Sequence, residues 1–314
     1  MRTVLTRTRF FALLPAVLLL AALLTSPAVL SVGVVNAGTA GSAGSTTEYY
    51  SQFVNNVGPQ QAVRVMLHLP PNASARQPLP ILVALHGYGG NGASFARPLL
   101  EAADRLGWAV IAPSITYRDW HDPVQVCEDA RDDLPGLRAW LNELPTRTGL
   151  RYQPRVMLYG FSRGAQYAHR FALAYPEMVA SVAAVSAGTY TLPQTVWVDP
   201  DGARTTLNMP YGAADLQTYT GQPFREAPLR QVRFLIGVGS TDHQAGDVPR
   251  SWDKYIGDCR VDRANSFVAS LRQLGVPVEL RQFPNTQHEE TAEMRAAALQ
   301  FLAVAPDPIQ VASR

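Results

Sequence analysis

This chain is short of the residues that build small stapled or metal-held domains. Among its 314 residues only two are cysteine, Cys127 and Cys259, and only six are histidine. A cysteine framework is therefore not what holds the fold, and a chain of this length can bury a full hydrophobic core instead. The two cysteines form no CxxC pair, and no zinc-ligand spacing, P-loop or dinucleotide glycine motif occurs. No metal and no cofactor is expected. Charge is also scarce: 17% of residues are charged and the net charge is +2. Lys254 is the single lysine, so arginine supplies the other basic groups. A balanced surface gives no electrostatic reason for a nucleic-acid partner. With 47% hydrophobic residues, the composition is that of an ordinary globular protein.

What the chain does have begins with an N-terminal apolar run. Arg2, Arg7 and Arg9 precede an uncharged stretch from Phe10 to Leu24, and Val35-Asn36-Ala37 forms a small-residue box. This layout predicts a secretory signal peptide over 1–37 and a secreted or periplasmic protein. Losing three arginines takes the net charge from +2 to −1. The competing reading is an uncleaved membrane anchor, which Pro15, Pro27, Ser31 and Gly33 disfavour. No cysteine precedes Cys127, so lipid attachment through an N-terminal cysteine is not expected. In an exported protein the pair Cys127 and Cys259 is expected to form a disulfide, with two buried free thiols as the alternative.

Residues 38–50 are rich in glycine, serine and threonine and read as a flexible linker. A catalytic domain is expected over 51–306, with a tail at 307–314. Apolar alternation at Val63, Val65, Leu67 and Leu69 predicts a half-buried edge strand. LPILVAL at 79–85 is a continuous apolar run, as in a parallel strand covered on both faces. Further strands are predicted at 108–113, 156–159, 179–185, 232–238 and 276–283. Helices are predicted at 98–106, 129–144, 163–175, 262–274 and 291–302, with Pro135 kinking or starting the second. The alternation implies an α/β fold with a mostly parallel sheet covered by helices on both faces. Residues 191–230 break the rhythm and read as an insertion, either a short lid or a pocket wall.

The sharpest motif is Gly160-Phe161-Ser162-Arg163-Gly164, lying between an apolar strand and a helix. Flanking glycines permit a tight strand-to-helix turn that lifts the serine above the sheet. A serine hydroxyl needs a base to become a nucleophile, and the base needs an acid to orient it. On such a scaffold the order is serine, acid, histidine. Asp242 follows the 232–238 strand, and His288 lies in the last loop, in FPNTQHEE. Ser162, Asp242 and His288 are thus the candidate triad. Asp247, Asp253 and Asp258 are rivals for the acid. The alternative for Ser162 is a residue that merely caps the helix. Backbone N–H groups of Arg163 and of Tyr88, in the turn HGYGG at 86–90, are the candidate oxyanion donors. Trp120 and His121 are candidates for substrate contact. Trp197, Tyr211, Tyr219 and Trp252 are either pocket or packing aromatics.

With HGYGG at 86–90, GFSRG at 160–164, Asp242 and His288 in this order, the chain resembles the α/β-hydrolase superfamily. The likeness runs from about Ala62 to Leu302. Within that superfamily it is similar to the secreted esterases that include polyhydroxybutyrate depolymerases, feruloyl esterases and acetylxylan esterases. The resemblance implies hydrolysis of small or polymer-derived carboxylic esters through an acyl-enzyme, without a cofactor. A serine peptidase on the same fold, and a noncatalytic or membrane-tethered binding protein on this scaffold, are the competing readings.

Overall fold

A computed structural model describes residues 44–53 and 61–304. The apolar run at 10–24, the expected cleavage box and the 307–314 tail lie outside the described residues. In chain order the elements are β1 (Ser45–Phe53), β2 (Gln61–Leu69), β3 (Ile81–Leu85), α1 (Gly92–Ala96), α2 (Leu100–Leu106), β4 (Ala109–Ser114) and α3 (Pro123–Thr148). Next come β5 (Val156–Phe161), α4 (Arg163–Ala174), β6 (Val179–Val185), β7 (Val196–Val198), β8 (Arg204–Thr206), α5 (Leu216–Thr220) and α6 (Glu226–Leu229). The chain continues through β9 (Arg233–Gly239), α7 (Asp253–Ile256), α8 (Arg260–Gln273), β10 (Val278–Phe283) and α9 (Ala292–Ala303).

An eight-stranded sheet runs β1-β2-β4-β3-β5-β6-β9-β10. β2 pairs antiparallel with both β1 and β4, and every other neighbouring pair is parallel. Every residue of β3 and β6 is buried. The pleat of β3 sends alternate side chains into two cores. Ile81, Val83 and Leu85 share one core with Leu134 of α3, Phe171 of α4 and Phe267 of α8. Leu82 and Ala84 share the other core with Ala96 of α1, Ala103 of α2 and Met294 of α9. The predicted mostly parallel, doubly covered α/β sheet is what forms.

Local signals explain the element ends. Asp122 caps α3 by accepting from the Val124 N–H, Pro123 fills its first turn, and Gly149 closes it at φ 70°. Thr291 caps α9 by accepting from the Met294 N–H. Pro135 neither starts nor ends α3, which runs through both Pro135 and Pro145. An interior proline costs about 3 kcal/mol. Each fully buried aliphatic or aromatic side chain returns roughly 1.5–3 kcal/mol, and α3 buries Val126, Leu134, Leu137, Trp140, Leu141 and Leu144. Packing therefore overrides the local break.

Two expectations about the strands need correction. Residues 45–50, read as linker, belong to β1, whose backbone pairs with β2 from Ser45 to Phe53. A polar, threonine-rich edge strand carries little apolar alternation to announce it. Consequently β2 is not an edge strand but the second in the sheet. The 191–230 insertion holds the β7–β8 hairpin, α5 and α6, and it packs alongside α3, α4 and α8. Among the described residues no helix is long and apolar enough to cross a membrane.

Strand order also selects a place for a site. The chain goes from β3 to β4 on one side, then to β5 on the other side of β3. Loops leaving β3 and β5 diverge there, opening a crevice at the carboxyl ends of the strands.

Candidate active site

Ser162 sits between β5 and α4 at φ 54°, ψ −114°, a conformation that L-residues rarely adopt. Its side chain makes no capping hydrogen bond to the helix. Capping, the alternative reading, therefore does not account for it. The turn holds because two glycines let backbones meet. A Cβ at Gly160 would lie 2.3 Å from the Gly164 carbonyl oxygen, and one at Gly164 would lie 1.9 Å from that of Leu85. The Ser162 N–H donates to Val185 O at 2.8 Å, which ties the elbow to β6.

Three sequence-predicted residues converge here. Ser162 Oγ lies 3.0 Å from His288 Nε2. His288 Nδ1 lies 3.3 Å from Asp242 Oδ2. Asp242 is 1% exposed and follows β9, with its N–H donating to Gly239 O. Thr241 donates through both N–H and Oγ1 to Thr286 O, and the Asn285 N–H donates to Ser240 Oγ. These bonds lash the acid's loop to the histidine's loop. Phe161 stacks on the imidazole at 5.2 Å between centroids. Burial disfavours the Asp242 carboxylate, but its hydrogen bond with His288 and the charge of Arg260 outweigh it and hold its pKa below the ordinary value.

A cavity of about 580 Å³ opens over this line. Tyr88, Trp120, His121 and Arg163 line it together with Ser162 and His288. Arg163 is the first residue of α4, where backbone N–H groups have no helical carbonyl to meet. The turn at 86–90 lies close, since a Cβ at Gly87 would be 3.5 Å from Ser162 Cβ. His86 braces that turn: its Nδ1 donates to Gly87 O at 2.7 Å, and its Nε2 accepts from the Ile115 N–H at 3.0 Å. Burial lowers its pKa, consistent with a neutral ring holding one proton on Nδ1.

Other expected contacts do not arise. No residue of 191–230 lines the cavity, so the insertion is not its wall. Trp197, Tyr211 and Trp252 join Tyr255 in a chain of ring contacts, and Tyr219 lies against Cys127. Cys127 and Cys259 are free buried thiols, not a disulfide. Cys127 lies inside α3, and burial pushes its thiol up to about 11. Cys259 starts α8, 3.4 Å from His243 Nδ1. Asp258, Cys259 and Asp262 bring their ligand atoms within 4.8 Å of one another. Burial raises the Cys259 thiol above its ordinary value.

Sequence reasoning missed Phe161, Gln166, Gly188, Asp247 and Arg260 as cavity residues. It also missed Asp129, buried beneath the elbow and paired with Arg163. Arg260 and Asp129 belong to helices remote in sequence from the motifs, and no spacing rule flags a buried ion-pair partner.

A family model described as the alpha/beta hydrolase fold matches residues 80–223. No curated protein matches the chain by sequence. A solved poly(aspartic acid) hydrolase from Sphingomonas sp. KT-1 is 20% identical, with 81% of this chain and 98% of that one covered and a TM-score of 0.60. A ferulic acid esterase is 18% identical over 82% of this chain and 97% of that one, at a TM-score of 0.54. Another, from Anaeromyces mucronatus and solved with ferulic acid, is 13% identical over 85% and 93%, at 0.56. The sheet order, the crevice at its switch point and the family match together give this chain the α/β-hydrolase fold.

Proposed function

We propose that this protein is an exported serine hydrolase that cleaves carboxylic esters through an acyl-enzyme on Ser162. The observation that carries the reading is the hydrogen-bonded line Ser162–His288–Asp242, with spacings of 3.0 and 3.3 Å, at the floor of an open cavity. His288 Nε2 takes the Ser162 proton as Oγ attacks the ester carbonyl. Asp242 holds the ring with its proton on Nδ1 and stabilises the imidazolium. The new oxyanion is held by the N–H groups of Tyr88 and Arg163, each such donor lowering the barrier by about 3 kcal/mol. His288 then protonates the leaving alcohol, and water repeats the cycle to release the acid. The esterase and hydrolase activities of proteins sharing this fold support the ester class. The arginine-led apolar run before residue 38 supports export.

The test is hydrolysis of p-nitrophenyl acetate, butyrate and octanoate by the purified protein beside Ser162→Ala, with a peptide anilide alongside. Turnover of the esters that disappears in the variant is expected. Equal rates for the two proteins on every ester would overturn the reading.

A further inference from the structure

A single buried carboxylate joins the elbow to the cavity loop. Asp129, on α3, is 0% exposed. Its Oδ2 accepts from Arg163 Nη2 at 2.5 Å, and Arg163 directly follows the nucleophile. Its Oδ1 accepts from Arg118 Nη1 at 2.9 Å, and both oxygens face the Arg118 N–H at 3.3 and 3.4 Å. Arg118 opens the short stretch that carries Trp120 and His121 into the cavity. Arg118 Nη2 also donates to Asp132 Oδ2, one turn along the same helix.

The surroundings make this junction stiff. The Arg163 guanidinium sits over the rings of Tyr117 and Tyr167, at 5.7 and 5.9 Å, and donates to Gln166 Oε1. The Tyr117 hydroxyl donates to His86 O, the first residue of the turn bearing Tyr88. A buried charge that loses its partner is costly, so the two arginines cannot leave Asp129 cheaply. Chemistry at Ser162 depends on donors held to within a fraction of an ångström.

We propose that Asp129 is a positioning residue for the hydrolysis described above. Through Arg163 it fixes the amide that faces the oxyanion, and through Arg118 it fixes the wall that carries Trp120 and His121. The proposal rests on the serine-hydrolase reading. It assigns separate effects to the two arms. The Arg163 arm governs kcat, because it acts on a group used only in the transition state. The Arg118 arm governs KM, because it acts on substrate contact.

The test compares kcat, KM and thermal midpoint for Asp129→Asn, Arg118→Met, Arg163→Met and the double variant Asp129→Asn/Arg163→Met. Arg163→Met is expected to lower kcat about tenfold, and Arg118→Met to raise KM about fivefold with kcat within twofold. Asp129→Asn is expected to do both. The double variant should have a kcat no lower than the worse single, since both changes break one arm. Additive kcat losses, or losses that follow the thermal midpoint alone, would overturn the proposal while wild-type turnover still depended on Ser162. Should Asp129→Asn not fold, the split between Arg118→Met and Arg163→Met decides, and equal effects of the two on kcat and KM overturn it. A wild type with no Ser162-dependent turnover overturns the hydrolase reading and this proposal together.

Discussion

Arg260 holds the oxygen of Asp242 that His288 does not use. Its Nη1 donates to Asp242 Oδ1 at 3.0 Å, while His288 Nδ1 faces Oδ2. Arg260 is itself 5% exposed and is anchored by a bond from Nη2 to Asp247 O. Asp242 is thus clamped from two sides, by the imidazole of His288 and by a cation on α8.

Removing that cation should show in the pH profile. Arg260→Gln keeps a donor but loses the charge that favours the Asp242 carboxylate, so the acid's pKa rises. The acid limb of kcat/KM should move to higher pH, because Asp242 then takes a proton earlier as pH falls. Rate measurements from pH 4 to 8 on both proteins check this. A limb that stays in place would remove Arg260 from the account.

The elbow should tolerate no side chain at Gly164. A Cβ there meets the Leu85 carbonyl at 1.9 Å, and backbone cannot yield as a flexible side chain can. Overpacking of this kind costs about 1–3 kcal/mol or more. Gly164→Ala is expected to lose ester hydrolysis and to lower the thermal midpoint. Gly246→Ala, also lining the cavity but with nothing within 4 Å of its Cβ, should keep activity within about twofold. Full activity in Gly164→Ala would contradict the geometry of the turn.

Asp133 should make the fold less stable as pH rises. Burial lifts its carboxyl from 3.8 to about 7. The Tyr167 hydroxyl donates to Oδ2, and among the described residues the buried Oδ1 has no hydrogen-bond partner. Between these two values the unfolded chain releases a proton that the folded chain retains. Stability from this group is therefore greatest below about pH 4 and is lost as pH climbs towards 7. Asp133→Asn keeps an acceptor for Tyr167 and removes the ionisation. Its thermal midpoint should fall less than the wild type's between pH 4 and 7, and parallel curves would count against the assignment.

Thiol counting tests the cysteines. Denatured protein should react at two thiols with a chromogenic disulfide reagent whether or not it was first reduced. Native protein should react slowly, because Cys127 and Cys259 are both buried and burial raises both thiols. A count that rises from zero to two only after reduction would restore the disulfide.

Much of the fold was legible because its signals are local. Short apolar runs such as 79–85 and 179–185, bounded by turn residues, suit covered strands, and the GxSxG turn fits between a strand and a helix when both flanks agree. β1 was not legible, since its partner β2 supplies what its own polar sequence does not. The unbroken α3 was not legible either, because proline's local penalty is visible in sequence while the burial that outweighs it is not.

By itself the sequence determined the α/β order, the elbow at Ser162 and the chain order that puts Asp242 and His288 after it. These depend on residue type, spacing and short-range backbone sterics. Tertiary structure alone decided that Arg260 would clamp Asp242, that Asp129 would join Arg118 to Arg163, that the cysteines would stay apart and that 191–230 would leave the cavity wall to other loops. Those outcomes rest on contacts between residues far apart in the chain, where geometry and burial, not pattern, set which groups meet.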